Sequence, residues 1–287
     1  MLRSQSAMEY LMTYGWAILI IAVVLSVLFQ LGVFSSGNFQ PHAQAGSCQV
    51  SRTAAGVSLE GQCNGLLPEF VGQFSGGSIQ ITSLPQAPIG NSQGTITAWF
   101  YEPSIQAYNG LVGYGTSTTS NAFTMFVDSS SGGKVCYDMW NSANQCGSSQ
   151  TVTQGIWEFA AITYDGSTVT GYTFYSGSSN VVNAGSGPVN IVAVSASYPF
   201  YIGARPSTPS YIGEISNVQL YNSSLSQAEV TSLYLEGIGG APIRPQNLMG
   251  WWPLNGNAND YSGNGNNGQL EGGVSFSSSW ESGYTAP

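Results

Sequence analysis

The sequence predicts a mainly β protein in which an N-terminal hydrophobic α-helix precedes an antiparallel β-sandwich. Residues 15–34 are apolar or small apart from Ser26 and Gln30, the pattern of one long apolar helix. After Asn38, short alternating or β-branched runs are separated by Gly, Ser and Asn, which is typical of a sandwich or barrel. Aromatic residues make up 12% of the chain and supply material for a core.

Charged residues are scarce along the chain. They make up only 7% of the 287 residues, against roughly 25% in soluble globular domains. The formal net charge is −9, and the five basic residues are too few for a basic patch, so nucleic-acid binding is not expected. His42 is the single histidine, which argues against His-dependent catalytic triads and multi-His zinc sites.

The apolar run is long enough to cross a membrane. At about 1.5 Å per residue, residues 15–34 span about 30 Å, one hydrocarbon thickness. A cleaved secretory signal has an apolar core of roughly 7–15 residues with a small-residue site close behind it. The nearest such site here, residues 43–45, lies well beyond Phe34. We therefore expect the transmembrane helix to remain in the mature protein.

The residues ahead of this run form the motif QSAMEYL (5–11), with Arg3 just before it. Motif and helix together resemble the class III signal peptide of archaeal type IV pilin-like proteins. The resemblance implies that a prepilin peptidase cuts between Ser4 and Gln5 and that the helix stays in the mature subunit as filament core. Position 4 is Ser, where that family usually has Gly or Ala.

Glu9 needs a partner, because a carboxylate that borders a membrane helix is costly when it is unpaired. Cutting before Gln5 would create an α-amino group four residues away, on the same helical face. That amine, from the same subunit or a neighbour, is the candidate partner in filament assembly. The alternative is that Glu9 is an interfacial acid, favourable near a helix N-terminus.

Strands, a turn and a second helix are predicted in the body of the chain. The candidate strands are residues 78–81, 95–101, 122–127, 157–164, 168–175, 200–202 and 214–221. Asp165-Gly166 separates two of them and is a strong hairpin signal. A short helix is predicted over 226–235, with Ser226 as N-cap and Glu229 completing a capping box.

Five stretches of this body resemble a laminin-G-like, concanavalin A-like jelly roll. They are GTITAWF (94–100), GIWEFAAITYDGST (155–168), YIGA (201–204), YIGEISNVQLY (211–221) and LSQAEV (225–230). The resemblance covers residues 70–235. It implies a jelly-roll fold whose surface binds a glycan or a protein.

The tail motif GWWPLNGNANDYSGNGNNG (250–268) normally opens such a jelly roll, but here it comes last. This order predicts either a circularly permuted jelly roll or a truncated second repeat, and the missing strand is supplied in cis or by a neighbouring subunit in trans. Trp251 and Trp252 are expected to bury against the strand near Phe70. The predicted organisation is a leader (1–4), a pilin-type helix (5–36), a linker with a disulfide-closed segment (37–66), the jelly roll (67–236), and a loop with a completing strand (237–287).

Four cysteines form an even set in an apparently exported chain, so disulfides are expected. Of the three possible connectivities, proximity favours Cys48 with Cys63 and Cys136 with Cys146, each closing a short loop. The spacing does not match a zinc knuckle, and companion histidines are missing.

Enzymatic activity is not expected. Glucanases of similar fold use two closely spaced carboxylates, whereas the comparable strand here, residues 214–218, offers Glu214 alone. Calcium is the one cofactor considered: Asp260 with Asn257 and Asn259 offers oxygen ligands, although a metal-free Asn-Gly turn explains the same residues. Asn222 begins the only N-glycosylation sequon.

The predicted function is a structural subunit of an archaeal type IV pilus-like surface filament. Identical subunits pack their helices into the filament core, after a membrane-inserted precursor stage, and the outward head serves adhesion to a neutral glycan or a surface protein. The exposed aromatics proposed for this contact lie in residues 108–110 and 198–200. The alternative is a membrane-anchored monomeric lectin-like binding protein, for which removal of residues 1–4 would serve no purpose.

Overall fold

The chain folds as two compact units, Met1–Gln40 and Pro41–Pro287, in a computed structural model. The structure describes residues 5–30, 42–43, 49–53, 56–60, 67–84, 92–115, 122–138, 144–146, 151–175, 178–186, 199–206 and 211–287. The first unit contains helix α1, and the second contains the strands and helix α2.

Helix α1, Gln5–Gln30, begins at the first residue of the predicted helix, and residues 31–36 of that prediction lie outside the described residues. Its sequence contains no proline, and Gly15 has no neighbour within 4 Å. Every side chain described along it, from residue 14 to 27, is exposed, and Tyr14 and Trp16 are 68% and 67% exposed. Within the described residues, no helix combines the length and the mean hydropathy required of a membrane span.

The second unit is built mainly from strands. They are β1 His42–Ala43, β2 Gln49–Thr53, β3 Gly56–Glu60, β4 Leu67–Pro68, β5 Val71–Ser75, β6 Ser78–Ile81, β7 Gly94–Tyr101, β8 Asn109–Gly115, β9 Ala122–Asp128, β10 Lys134–Asp138, β11 Asn144–Cys146, β12 Trp157–Tyr164, β13 Thr168–Tyr175, β14 Ser178–Ser186, β15 Phe200–Ile202, β16 Ile212–Tyr221, β17 Leu248–Trp252, β18 Gln269–Glu271 and β19 Val274–Ser277. Helix α2, Gln227–Leu235, follows β16.

Two antiparallel sheets form a sandwich of the jelly-roll type. One has the strand order β11-β10-β9-β8-β15-β6-β18, and the other has the order β14-β13-β12-β7-β16-β5-β19, with β17 beside β16. The Tyr137 hydroxyl, from the first sheet, donates a hydrogen bond to the carbonyl of Tyr172 in the second at 2.7 Å. The predicted antiparallel sandwich is therefore confirmed.

The second sheet is buried on both faces. On β7, Ile96, Ala98 and Phe100 point into the core between the sheets. The alternate residue Trp99 joins a second cluster outside the sheet, where it packs with Phe159 of β12 and with residues of α2. A strand buried on both faces has a nearly continuous apolar sequence, and β7 and β12 show this pattern apart from their threonines and Glu158.

The C-terminal segment supplies three strands to the same sandwich. β17 pairs with the second half of β16 and β5 with the first half, so the two strands lie in line along one side of β16. Trp251 and Trp252 are buried, but they pair with Gln219 and Val218 of β16. The burial near Phe70 is nevertheless as expected, since Trp251 shares a hydrophobic cluster with Leu67 and Val71. Trp252 stacks on Phe200 in the core.

Local signals in the sequence have the expected structures. Asp165 Oδ1 accepts hydrogen bonds from the backbone N–H groups of Ser167 and Thr168, both at 2.8 Å, and closes the β12–β13 turn. Ser226 caps α2, and its side chain and that of Glu229 form the predicted capping box. Both features depend on residues within three positions of one another.

Candidate functional site

Residues 204–206 cross the outer face of the first sheet, and we call them the crossing segment. Two glycines of β8 allow this segment to lie close to the sheet. A Cβ at Gly110 would lie 2.7 Å from the backbone nitrogen of Arg205. A Cβ at Gly113 would lie 2.8 Å from the carbonyl oxygen of Ala204. Since β15 pairs with β8, the chain that leaves β15 passes directly over these two positions. Because glycine has no side chain, the backbone of Ala204 and Arg205 can lie against the sheet at these two positions.

Arg205 is a buried cation in this space. Its Nη2 donates to Asp138 Oδ2 at 2.8 Å, and the two side chains are only 5% and 6% exposed. Its guanidinium carbon lies 3.7 Å from the ring centroid of Phe126 and 5.7 Å from that of Tyr108. Burial lowers the pKa of Arg205 and the charge of Asp138 opposes that shift, so the guanidinium stays charged.

Tyr108 covers this arginine from the solvent side. Its ring is 47% exposed and stacks on Phe126 at 6.1 Å with an interplanar angle of 25°. Its backbone φ is +54°, a left-handed conformation that is unfavourable for a residue with a side chain and persists only where the surroundings enforce it. We refer to Tyr108, Phe126 and Arg205 together as the Tyr108 platform.

Asp128 holds the loops beside the platform. Its Oδ1 accepts from Ser130 N at 3.1 Å and from Tyr108 N at 3.4 Å, and its Oδ2 accepts from the hydroxyls of Ser130 and Ser131 at 2.6 and 2.9 Å. Burial raises the pKa of this carboxyl, but these hydrogen bonds outweigh burial, so the pKa lies below its usual value. The ionised carboxylate therefore stabilises the turn next to Tyr108.

The disulfide Cys136–Cys146 ties β10 to the edge strand β11, as the spacing predicts. Cys136 also lies opposite Phe126 in the β10–β9 register. The covalent link thus ties the edge strand to β10, which pairs with the strand that carries Phe126. The predicted partner pair, Cys48 and Cys63, lies outside the described residues.

The platform presents a flat, exposed ring with a fixed orientation to solvent. The exposed polar side chains of Gln106 and Ser130 lie in the adjoining loops, whose backbones are linked by a hydrogen bond from Ser129 N to Gln106 O at 3.0 Å. An aromatic face with hydroxyl and amide groups around it stacks on one face of a sugar ring and bonds its hydroxyls. Of the two segments predicted to make such contacts, only Tyr108 qualifies: Asn109 and Phe200 are buried, and Tyr198 lies outside the described residues.

Sequence reasoning missed Arg205, Asp138 and Phe126. They come from β9, β10 and the segment after β15, so their proximity follows from strand order alone. One signal was available: Arg205 is one of only five basic residues and lies three residues after the predicted strand 200–202.

The structure also brings together two acids that the sequence did not pair. Glu102, just after β7, and Glu158, on β12, are 0% and 1% exposed, and both face the interior of the sandwich. Burial raises the pKa of Glu102 to about 8 and that of Glu158 to about 7. Glu214 lies on the other face of the sheet, in register with Tyr101, and burial with the charge of Glu281 raises its pKa to about 7.

The Asp260 loop is organised by hydrogen bonds. Asp260 Oδ1 accepts from the N–H groups of Trp251 and Ser262 at 2.9 and 2.8 Å, and Oδ2 accepts from Asn266 N at 2.9 Å. Asn257 bonds instead to Asn259 N and to the Tyr261 hydroxyl. A calcium ion would compete with these donors for Asp260, and the described residues contain no cluster of three His, Cys, Asp or Glu side chains. Calcium at Asp260, Asn257 and Asn259 stays a prediction.

The remaining predicted residues are at the surface or in the first unit. Asn222 is exposed, in the turn after β16, and its Oδ1 accepts from Asn247 Nδ2 at 3.0 Å. Gln5 and Glu9 lie in the first turns of α1, and Ser4 lies outside the described residues.

Comparison with solved structures yields relatives of low identity. A candidate carbohydrate-binding protein from Bacteroides ovatus matches with a TM-score of 0.50 at 16% identity over 79% of this chain, which spans 65% of that structure's length. A heptameric pentraxin from Limulus polyphemus matches with a TM-score of 0.48 at 17% identity, covering 72% of this chain and 94% of its own. Domains LG4-5 of the mouse laminin α1 chain match with a TM-score of 0.41 at 18% identity, covering 61% and 45%.

These likenesses concern the fold. None of the curated proteins compared with the chain matches it. A sequence model for the concanavalin A-like lectin/glucanases superfamily, of the laminin-G type, matches residues 75–231. Since this match covers more than half of the 287 residues, the chain belongs to the concanavalin A-like lectin/glucanases superfamily.

Proposed function

We propose that the head of this protein binds neutral glycans at the Tyr108 platform, in the manner of a lectin and without hydrolysis. The observation that carries the proposal is the exposed ring of Tyr108, held in a left-handed backbone conformation over the buried Arg205. A rigid aromatic ring costs little conformational entropy on binding. The fold of the head, a laminin-G and concanavalin A-like domain, suggests carbohydrate or protein binding and a location at the cell surface.

The electrostatics favour an uncharged ligand. The net charge is −9, and the ionised carboxylate of Asp128 stands beside the platform. An anionic glycan would be repelled from this surface. The buried acids Glu102 and Glu158 face the sandwich interior and are not placed to touch a bound sugar, which supports binding without bond cleavage.

We further propose that helix α1 packs with the helices of identical subunits in a type IV pilus-like filament. Its support is the QSAMEYL motif together with the exposure of large apolar side chains on the helix, among them Trp16, Ile18 and Ile20 at 67%, 63% and 58%. Helices of other subunits would cover this apolar surface, and the membrane would cover it before assembly. The competing proposal is a monomeric lectin-like protein that uses the same helix as a membrane anchor.

Binding is tested with the full chain in a detergent that carries no sugar, on an array of neutral and anionic glycans. We expect neutral hits that Tyr108→Ala loses and Tyr108→Phe keeps. Leu270→Ala is the matched control, because Leu270 is also 47% exposed and lies on β18 at an edge of the same sheet. Equal loss in the Leu270 variant, or full binding by Tyr108→Ala, would contradict the proposed site.

The filament proposal is tested on cell-surface material by peptide mass mapping and electron microscopy. We expect filaments whose subunits begin at Gln5, and we expect Glu9→Gln to reduce filament yield while the head still melts normally. Subunits that retain Met1 in a membrane fraction without filaments would favour the anchored monomer.

A further inference from the structure

Glu102 and Glu158 form a carboxyl pair inside the sandwich, at the end next to the Tyr108 platform. Glu158 is paired with Phe100 in the β12–β7 register, and Glu102 lies two residues beyond Phe100 on the same face. Residues at such diagonal positions of neighbouring strands are within reach of one another. The two side chains, 0% and 1% exposed, are therefore close neighbours away from water.

Neither carboxyl has a cation. Between described residues the salt bridges are those of Arg205 with Asp138 and of Arg244 with Glu229. Glu158 Oε1 accepts from Thr153 N at 2.8 Å, but its buried Oε2 has no hydrogen-bond partner among the described residues. A buried carboxylate without a cation is strongly disfavoured, so the neutral acid is the stable form.

Glu102 also has hydrogen-bonding neighbours. The Tyr211 hydroxyl donates to the carbonyl of Tyr101 at 2.9 Å and is hydrogen bonded to Glu102 as well. The contacts with Asn109 and Tyr211 lower the pKa of Glu102, but burial outweighs them, so the pKa lies above its usual value.

The other titratable groups that face the pair remain neutral between pH 4 and 9. Burial raises the pKa of Tyr137 on β10, of Tyr175 on β13 and of Tyr211 ahead of β16, and in each case the charge of Glu158 adds to the shift. Glu214 acts on Tyr211 from the other face of the sheet. Burial raises the pKa of Glu102 to about 8 and of Glu158 to about 7, and the charge of Glu158 adds to the shift of Glu102.

Asn109 connects the pair to the platform. Its Nδ2 donates to Oε1 and Oε2 of Glu102 at 3.0 and 2.9 Å and to the carbonyl of Ile212 at 3.1 Å. Its Oδ1 accepts from Ile212 N at 2.9 Å. Because Asn109 directly follows Tyr108 in the chain, displacement of Glu102 would release the backbone that holds Tyr108 in its left-handed conformation.

We propose that Glu102 and Glu158 are a proton-dependent latch on the glycan site: the protonated pair holds Asn109 and Tyr108 in place, and ionisation of both acids opens this end of the sandwich. The proposal rests on the proposed glycan-binding function for its effect on affinity, but its effect on stability is independent of any ligand. A carboxyl whose pKa is raised by folding binds more protons in the folded than in the unfolded chain. Stability is therefore greatest below the unfolded pKa of about 4.3 and is lost as the pH rises through about 7 and about 8.

The test compares thermal unfolding and neutral-glycan affinity of the full chain at about pH 5 and about pH 9, on either side of these pKa values. The variants are Glu102→Gln/Glu158→Gln, which mimics the protonated pair, and the exposed control Glu271→Gln on β18. We expect Tm and affinity to fall together with rising pH in the wild type and in the control. The double variant should keep its affinity and retain only the smaller loss of Tm that Glu214 causes.

A double variant whose Tm and affinity fall as steeply as in the wild type would overturn the latch. If that variant does not fold, the infrared band of protonated carboxylic acid in the wild type decides: its presence at about pH 6 and loss by about pH 9 supports the latch, and its absence at about pH 6 overturns it. The Tm of the wild type could follow pH as expected although the protein binds no glycan at any pH. That result would overturn the proposed glycan binding, but the effect of the carboxyl pair on stability would stand.

Discussion

The guanidinium carbon of Arg205 lies 3.7 Å from the centroid of the Phe126 ring, and Gly110 leaves space for the backbone of Arg205. This contact makes the arginine a structural support for the exposed ring of Tyr108. A cation over the face of Phe126 and beside Asp138 is held by its charge and by its planar shape. The binding proposal therefore depends on buried residues as much as on the exposed ring.

Arg205→Ala is expected to lower the free energy of unfolding by about 3–5 kcal/mol, because it removes the cation from the buried Asp138. It should also weaken glycan binding. Arg244→Ala is the matched control: the Arg244 side chain is 40% exposed in its pair with Glu229, so its loss should cost about 1 kcal/mol or less. Denaturant unfolding measures both, and equal costs would show that the Arg205 pair has no special role.

Gly110→Ala is expected to destabilise the head by about 1–3 kcal/mol, since the new Cβ would lie 2.7 Å from Arg205 N and would push residues 204–206 off the sheet. Glycan affinity should fall with it. Gly15→Ala is the control, because nothing lies within 4 Å of that position on α1. Unchanged melting of the Gly110 variant would mean that the crossing segment lies elsewhere.

Cys136→Ser/Cys146→Ser is expected to cost about 2–4 kcal/mol, because the disulfide closes a loop with a sequence separation of 10 and restricts the unfolded chain. Affinity should fall as well, since Cys136 lies opposite Phe126. The double substitution is preferable to a reducing agent, which would also act on Cys48 and Cys63. A variant with wild-type Tm and affinity would separate the disulfide from the site.

Asp260→Asn is expected to cost about 1–3 kcal/mol, because its carboxylate accepts three backbone N–H groups and an amide would bring a donor against one of them. Melting in millimolar calcium and in chelator tests the metal prediction on the same variant. A rise in Tm with calcium that the wild type shows and the variant lacks would support a calcium site. Equal Tm values of the wild type in both solutions would contradict it.

The sequence predicted features that depend on neighbouring residues. The bounds of β12 and β13 and the turn at Asp165 follow from local periodicity and side-chain hydrogen bonds, and the capping box at Ser226 does so too. In contrast, β8 and β14 were not predicted. β8 carries three glycines in seven residues and β14 is rich in Ser and Asn, so neither shows the alternation or the β-branched content by which a strand is recognised.

Local sequence patterns did not predict which distant residues lie next to one another. The sequence predicts a lone acid at Glu214, whereas the register of β7 with β12 brings Glu102 beside Glu158 and leaves Glu214 on the other face. Trp251 and Trp252 are buried as expected, but their pairing with β16 was not predicted. A shift of one residue in register exchanges the two faces of a strand, and local patterns do not record register.

The sequence by itself therefore determined the antiparallel sandwich, the Cys136–Cys146 link and the capping box of α2, because each depends on composition, periodicity or short spacing. Only the tertiary structure decided which of many tyrosines is a candidate binding residue. Tyr108 is distinguished by Phe126 and Arg205, which are 18 and 97 residues away along the chain. Strand order brings these residues together, and strand order is set by burial of the whole core rather than by any one segment.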